Sequence, residues 1–134
     1  MDSFLNQYEI LFNKAKSDLT AASVLYARFI EGNTELDPEV ICFHLQQCAE
    51  KLMKSILSKK RIYYPKIHDL ETLLLLIIEN GIPFSTDMEL LIELNDYAVE
   101  GRYSIMNEDI GSIQKYFLFL NEMEIETRKI VIEG

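Results

Sequence analysis

Between residues 67 and 101 the chain has no lysine or arginine, while eight acids fall there: Asp69, Glu71, Glu79, Asp87, Glu89, Glu93, Asp96 and Glu100. With a net charge of −9, this excludes a protein that coats duplex nucleic acid through a broad basic surface. Long apolar runs are also missing. The longest, residues 73–78, is far short of the roughly 18 residues needed to cross a bilayer. The start, Met1-Asp2-Ser3-Phe4, lacks the basic and apolar segments of a secretory signal, so a cytoplasmic location without membrane contact is expected. Cysteine is scarce. Cys42 and Cys48 are spaced to lie well apart around one helix, with no C-x-x-C, which predicts reduced, packed thiols. With two histidines and no H-E-x-x-H, no metal site and no cofactor are expected.

What is present is helical periodicity along almost the whole chain. At 134 residues, 49% hydrophobic and 26% charged, it reads as one domain over 1–134 with one packed core. Leu5, Tyr8, Phe12, Ala15, Leu19, Ala22, Tyr26 and Phe29 predict a first helix over 3–31, ended by Gly32-Asn33. A second helix over 38–59 opens on Pro38, which suits a first turn. A third, over 68–81, carries the apolar run and reads as the most buried element. Thr86-x-x-Glu89 has capping-box spacing and opens a fourth helix that ends near residue 101; a fifth covers 107–132. Short connections predict an all-α, antiparallel up-and-down bundle of four to five helices.

Charge is concentrated in the second helix and the connector after it. Residues 43–70 hold Lys51, Lys54, Lys59, Lys60, Arg61 and Lys66 against Glu50 and Asp69. On a wheel of about 100° per residue, Gln47, Lys51 and Lys54 fall within about 80° of His44. Ile41, Leu45, Ala49, Leu52, Met53 and Ile56 form a core stripe on another face. A histidine, an amide and two ammonium groups on one face suit a phosphate or a nucleobase edge; the same pattern also fits an ordinary solvated face.

Three motifs carry a family resemblance: Phe43-His44-Leu45-Gln46-Gln47-Cys48-Ala49-Glu50-Lys51-Leu52-Met53-Lys54; His68-Asp69-Leu70; and Leu94-Asn95-Asp96-Tyr97-Ala98-Val99-Glu100-Gly101-Arg102-Tyr103. In this order and on these helices, they resemble the HEPN family of small helical-bundle domains. The resemblance implies a homodimer that binds a nucleotide or RNA. It also implies a minimal nucleotidyltransferase partner, in a toxin–antitoxin pair or a two-component system. Many HEPN proteins are metal-independent ribonucleases, with an arginine followed, four to six residues on, by a histidine. Here Arg102 stands in the expected region, but Asn107, Glu108 and Asp109 occupy the histidine positions. The literal match, Arg61 and His68, lies between the second and third helices.

The expected nucleotide- or phosphate-binding set is therefore His44, Gln47, Lys51, Lys54, His68, Arg102 and Tyr103, arranged as a basic cleft. Arg102 offers a guanidinium for phosphate and Tyr103 a ring for stacking. The bland alternative for His68-Asp69 is a helix cap. No residue is assigned as catalytic; Arg102, His44 and His68 are the candidates if the chain cleaves RNA. The expectation is a binding subunit, with an RNA-cleaving toxin as the alternative.

Overall fold

The computed structural model describes residues 6–32, 35–97 and 110–134, and their regular structure is entirely helical. Five helices follow one another: α1 (Gln7–Ile30), α2 (Pro38–Lys59), α3 (Leu70–Glu79), α4 (Met88–Asn95) and α5 (Ile110–Val131). The chain is an all-α bundle, as the periodicity predicts, and no helix among the described residues is long and apolar enough to cross a membrane.

Side-chain pairings set the helix directions. Lys59 lies over the Tyr8 ring, 4.6 Å from its centroid, and Asp18 reaches His44 and Lys51, so α1 and α2 run antiparallel. Arg128 lies over Phe12, and Tyr26 packs against Phe117 with centroids 4.9 Å apart, so α1 and α5 are antiparallel as well. It follows that α2 and α5 run parallel to each other. The strict alternation of a five-membered up-and-down chain is therefore broken between α2 and α5, and α3 and α4 form a short hairpin. Asn95, at the end of α4, accepts the Leu70 N–H at 2.8 Å and donates to Asp69, at the start of α3.

Helix α2 is the centre of the bundle, packing against each of the other four. The core stripe read from its sequence, Ile41, Leu45, Ala49, Leu52, Met53 and Ile56, is fully buried. So are Cys42 and Cys48, both free thiols. Burial pushes the Cys48 thiol far above its ordinary value, and the nearby Asp18 and Glu124 carboxylates add to this, so it has no thiolate chemistry. The expectation that the third helix is the most deeply buried fails. Leu75 and Ile78 of α3 are 42% and 51% exposed, because a ten-residue helix packed on one side must turn part of an all-apolar run outward.

Local chemistry fixes the ends. Glu9 accepts the Asn6 backbone N–H at 3.0 Å and opens α1. Asp37 accepts the Glu39 N–H and opens α2 with Pro38 in the first turn. The Thr86 capping box does not form. Asp87 caps α4 instead, accepting the Leu90 N–H at 3.2 Å, because it stands one residue closer to the orphan donors of the first turn. Three helices end in residues with positive φ. Gly32 follows α1 (φ 93) and Gly81 follows α3 (φ 71), but Arg61 follows α2 (φ 58). The α2 and α3 ends share one pattern. Arg61 N–H bonds to Ser58 O and Ile62 N–H to Leu57 O, just as Gly81 N–H bonds to Ile78 O and Ile82 N–H to Ile77 O.

The α3–α4 hairpin depends on Asp69. Its carboxyl is held below the usual carboxylate range by hydrogen bonds from the Thr72 hydroxyl and then the Asn95 amide, which outweigh burial. A carboxyl with a lowered folded value stabilises the fold above its unfolded value, near pH 4, and that stability is lost as pH falls through the folded value. Asp69→Asn should therefore flatten the acid limb of stability against pH, read by urea denaturation. An unchanged limb would contradict the assignment. Asn95→Ala, which leaves the Leu70 N–H without its acceptor, should cost about 1–2 kcal/mol in the same assay.

Candidate functional site

The polar stripe of α2 exists, but acids from within the fold hold it. Asp18, on α1, takes both basic side chains at its upper end: its Oδ1 lies 3.1 Å from His44 Nδ1 and its Oδ2 accepts from Lys51 Nζ at 2.5 Å. Glu50, 4% exposed, takes the lower end. Its Oε2 accepts from Lys54 Nζ at 3.0 Å, and its Oε1 lies 2.9 Å from His68 Nδ1. Two amides extend the Glu50 centre. Gln46 Nε2 donates to Glu50 Oε1 at 3.3 Å and to the His68 carbonyl at 3.2 Å, and Gln47 Nε2 donates to Gln46 Oε1 at 2.7 Å.

Of the seven residues proposed for binding, five thus fall in two acid-centred clusters along α2: His44 and Lys51 on Asp18, and Gln47, Lys54 and His68 around Gln46 and Glu50. Together they form an internally neutralised seam, in which Lys51 and Lys54 each have a carboxylate. Lys54 also lies over the Tyr64 ring at 5.8 Å. Arg102 and Tyr103 lie outside the described residues. At the start of α3, Asp69 occupies the cap position and His68 turns its side chain back to Glu50, with 66% of that side chain exposed. Since a carboxylate accepts, the His68 proton on that side is Nδ1–H, and Nε2 is left as the other ring nitrogen.

Sequence reading missed Asp18, Gln46 and the burial of Glu50. The i,i+4 spacing of Glu50 and Lys54 is visible in the sequence, and the pair forms. Asp18 has no comparable local signal, because its partners stand 26 and 33 residues away. Among the described residues, no group of three His, Cys, Asp or Glu is placed to hold a metal ion.

Three of the cations that remain are on the connector after α2. Lys60, Arg61 and Lys66 are exposed, and among the described residues no carboxylate lies within ion-pair distance of them. Tyr63, between them, is 85% exposed.

The chain belongs to the HEPN family: the HEPN domain model matches residues 8–129. No curated protein and no solved structure matches it.

Glu50 is buried with three partners, so Glu50→Ala should cost about 3 kcal/mol and leave Lys54 and His68 without an acceptor. Asp18→Ala, at a half-buried site, should cost about 1–2 kcal/mol. Urea midpoints at constant slope measure both, and a wild-type midpoint for Glu50→Ala would contradict the network. Lys51→Glu would face Asp18, so it too should lower the midpoint, and reversal there reports on folding as well as on any ligand.

Proposed function

We propose that this HEPN protein is a binding subunit, acting as a homodimer in the cytoplasm with a minimal nucleotidyltransferase partner in a toxin–antitoxin or two-component system. In this reading it contacts a nucleotide or RNA phosphate through its basic zone. Family membership supports a nucleotide- or RNA-related, toxin-type role. The observation that carries the binding reading is the distribution of charge: Lys51 and Lys54 of α2 are paired with carboxylates within the fold, while Lys60, Arg61 and Lys66 stand together on one connector of an acidic chain, with no carboxylate among the described residues in ion-pair distance. A compact cationic site on an acidic body selects a local anion over a long duplex, and the acidic remainder complements a basic partner.

A second reading, a metal-independent ribonuclease, is favoured by one feature. Glu50 orients His68 by its Nδ1, the arrangement by which a carboxylate sets a histidine as a general base. Against it, the residues that follow Arg102 at the family's spacing are Asn107, Glu108 and Asp109. Loss of a positioned proton carrier typically costs roughly 10²- to 10⁴-fold in rate.

Light scattering should give twice the 15.6 kDa of one chain. A 5′-phosphorylated single-stranded RNA should bind with an affinity that falls as salt rises. In EDTA, the same RNA should stay intact. Absence of binding at low salt would overturn the binding reading. Cleavage abolished by His68→Ala or Arg102→Ala would replace it with the enzyme.

A further inference from the structure

Beside the connector lies a groove of about 690 Å³, within the range of small-molecule sites. Lys54, Arg61, Tyr63, Tyr64 and Lys66 line it, together with Gln7 from α1. No acid lines it. A second groove among the described residues, of about 490 Å³, is lined by Asp87, Glu122 and Glu126, and would repel an anion. Lys54 is held by Glu50, so the free positive charge of the first groove comes from Arg61 and Lys66, with the exposed Tyr63 ring between them in sequence.

Arg61 is also the one non-glycine residue with positive φ among the described residues. The same helix-ending pattern after α3 uses glycine, and φ near 60° costs an L-residue of order 1–3 kcal/mol. Glycine would close α2 with less strain. An arginine there puts a guanidinium on the lip of the groove at the expense of stability. Local strain kept at a cationic lip is what a binding function would require.

We infer that the α2–α3 connector groove binds a nucleoside phosphate, with Arg61 and Lys66 on the phosphate and the Tyr63 ring stacked on the base. This rests on the nucleotide-binding reading above and assigns its location to the connector rather than to the α2 stripe. A guanidinium pairs with phosphate through two parallel N–H donors, and a solvent-exposed aromatic ring stacks on any base. A phosphorylated RNA end and a free mononucleotide share this chemistry.

The test uses the full-length protein with a fluorescent, 5′-phosphorylated single-stranded RNA, AMP as competitor, and the variants Arg61→Gly and Tyr63→Ala. Each variant should bind the RNA about tenfold more weakly than wild type. Arg61→Gly should at the same time melt at the wild-type temperature or above, because glycine relieves the positive φ. A loss of affinity with a gain in stability separates binding from misfolding. Displacement by AMP identifies a free nucleotide as the ligand, and retention against AMP identifies the RNA strand; either result supports the groove. If both variants bind as wild type does, the groove is overturned while the binding reading stands. If wild type itself binds neither probe, both fall.

Discussion

A carboxylate buried in the middle of a bundle must be satisfied, and Glu50 is satisfied by parts of the chain that would otherwise be independent. Its two oxygens hold Lys54 one turn further along α2 and the ring of His68 just before α3. Gln46 ties the same point to the His68 carbonyl. Burial of an unpaired charge costs several kcal/mol, so the chain after α2 cannot swing away from this point without a large penalty. The connector therefore has fixed ends: the Arg61–Leu57–Ser58 turn at one side and the Glu50–His68 contact at the other. Asp69 and Asn95 extend the restraint to α4.

This restraint sorts the cations. Lys51 and Lys54 on α2 face carboxylates from α1 and from α2 itself and contribute to folding, and Lys59 lies over the Tyr8 ring of α1. Those on the connector are held in place by the network but take no part in it. A basic zone read as one unit in the sequence is two populations in the fold, and the exposed one has the aromatic ring. The segregation has electrostatic consequences. Neutralised lysines add little to the field outside the protein, whereas Lys60, Arg61 and Lys66 project into water beside an acidic body.

Much of the fold was legible because it rests on local rules. Pro38 and the apolar stripe of α2 place that helix at its observed bounds, 38–59. Gly32 and Gly81 mark helix ends by their backbone freedom. The errors have physical causes as well. Hydropathy made α3 look central, but burial depends on how many neighbours surround a helix, and α2 has them. At α4, Asp87 outcompeted Thr86 for the cap. The candidate site was legible only in part. Spacing put His44, Gln47, Lys51 and Lys54 on one face, but the fold divides them between two clusters, and His44 and Lys51 are held by Asp18, from another helix. A left-handed Arg61 was beyond reach too, because nothing in the residue type announces a conformation that disfavours it.

The claim on which the account turns is that nucleoside phosphate meets this protein at the connector and not along the α2 stripe. Backbone amide chemical-shift mapping in an AMP titration of the isotope-labelled protein tests it most directly. The account predicts that the saturable perturbations cluster at Ser58, Arg61, Ile62, Tyr63 and Lys66 and leave Asp18, His44 and Lys51 in place. Perturbations centred on His44 and Lys51, with the connector unmoved, would contradict it.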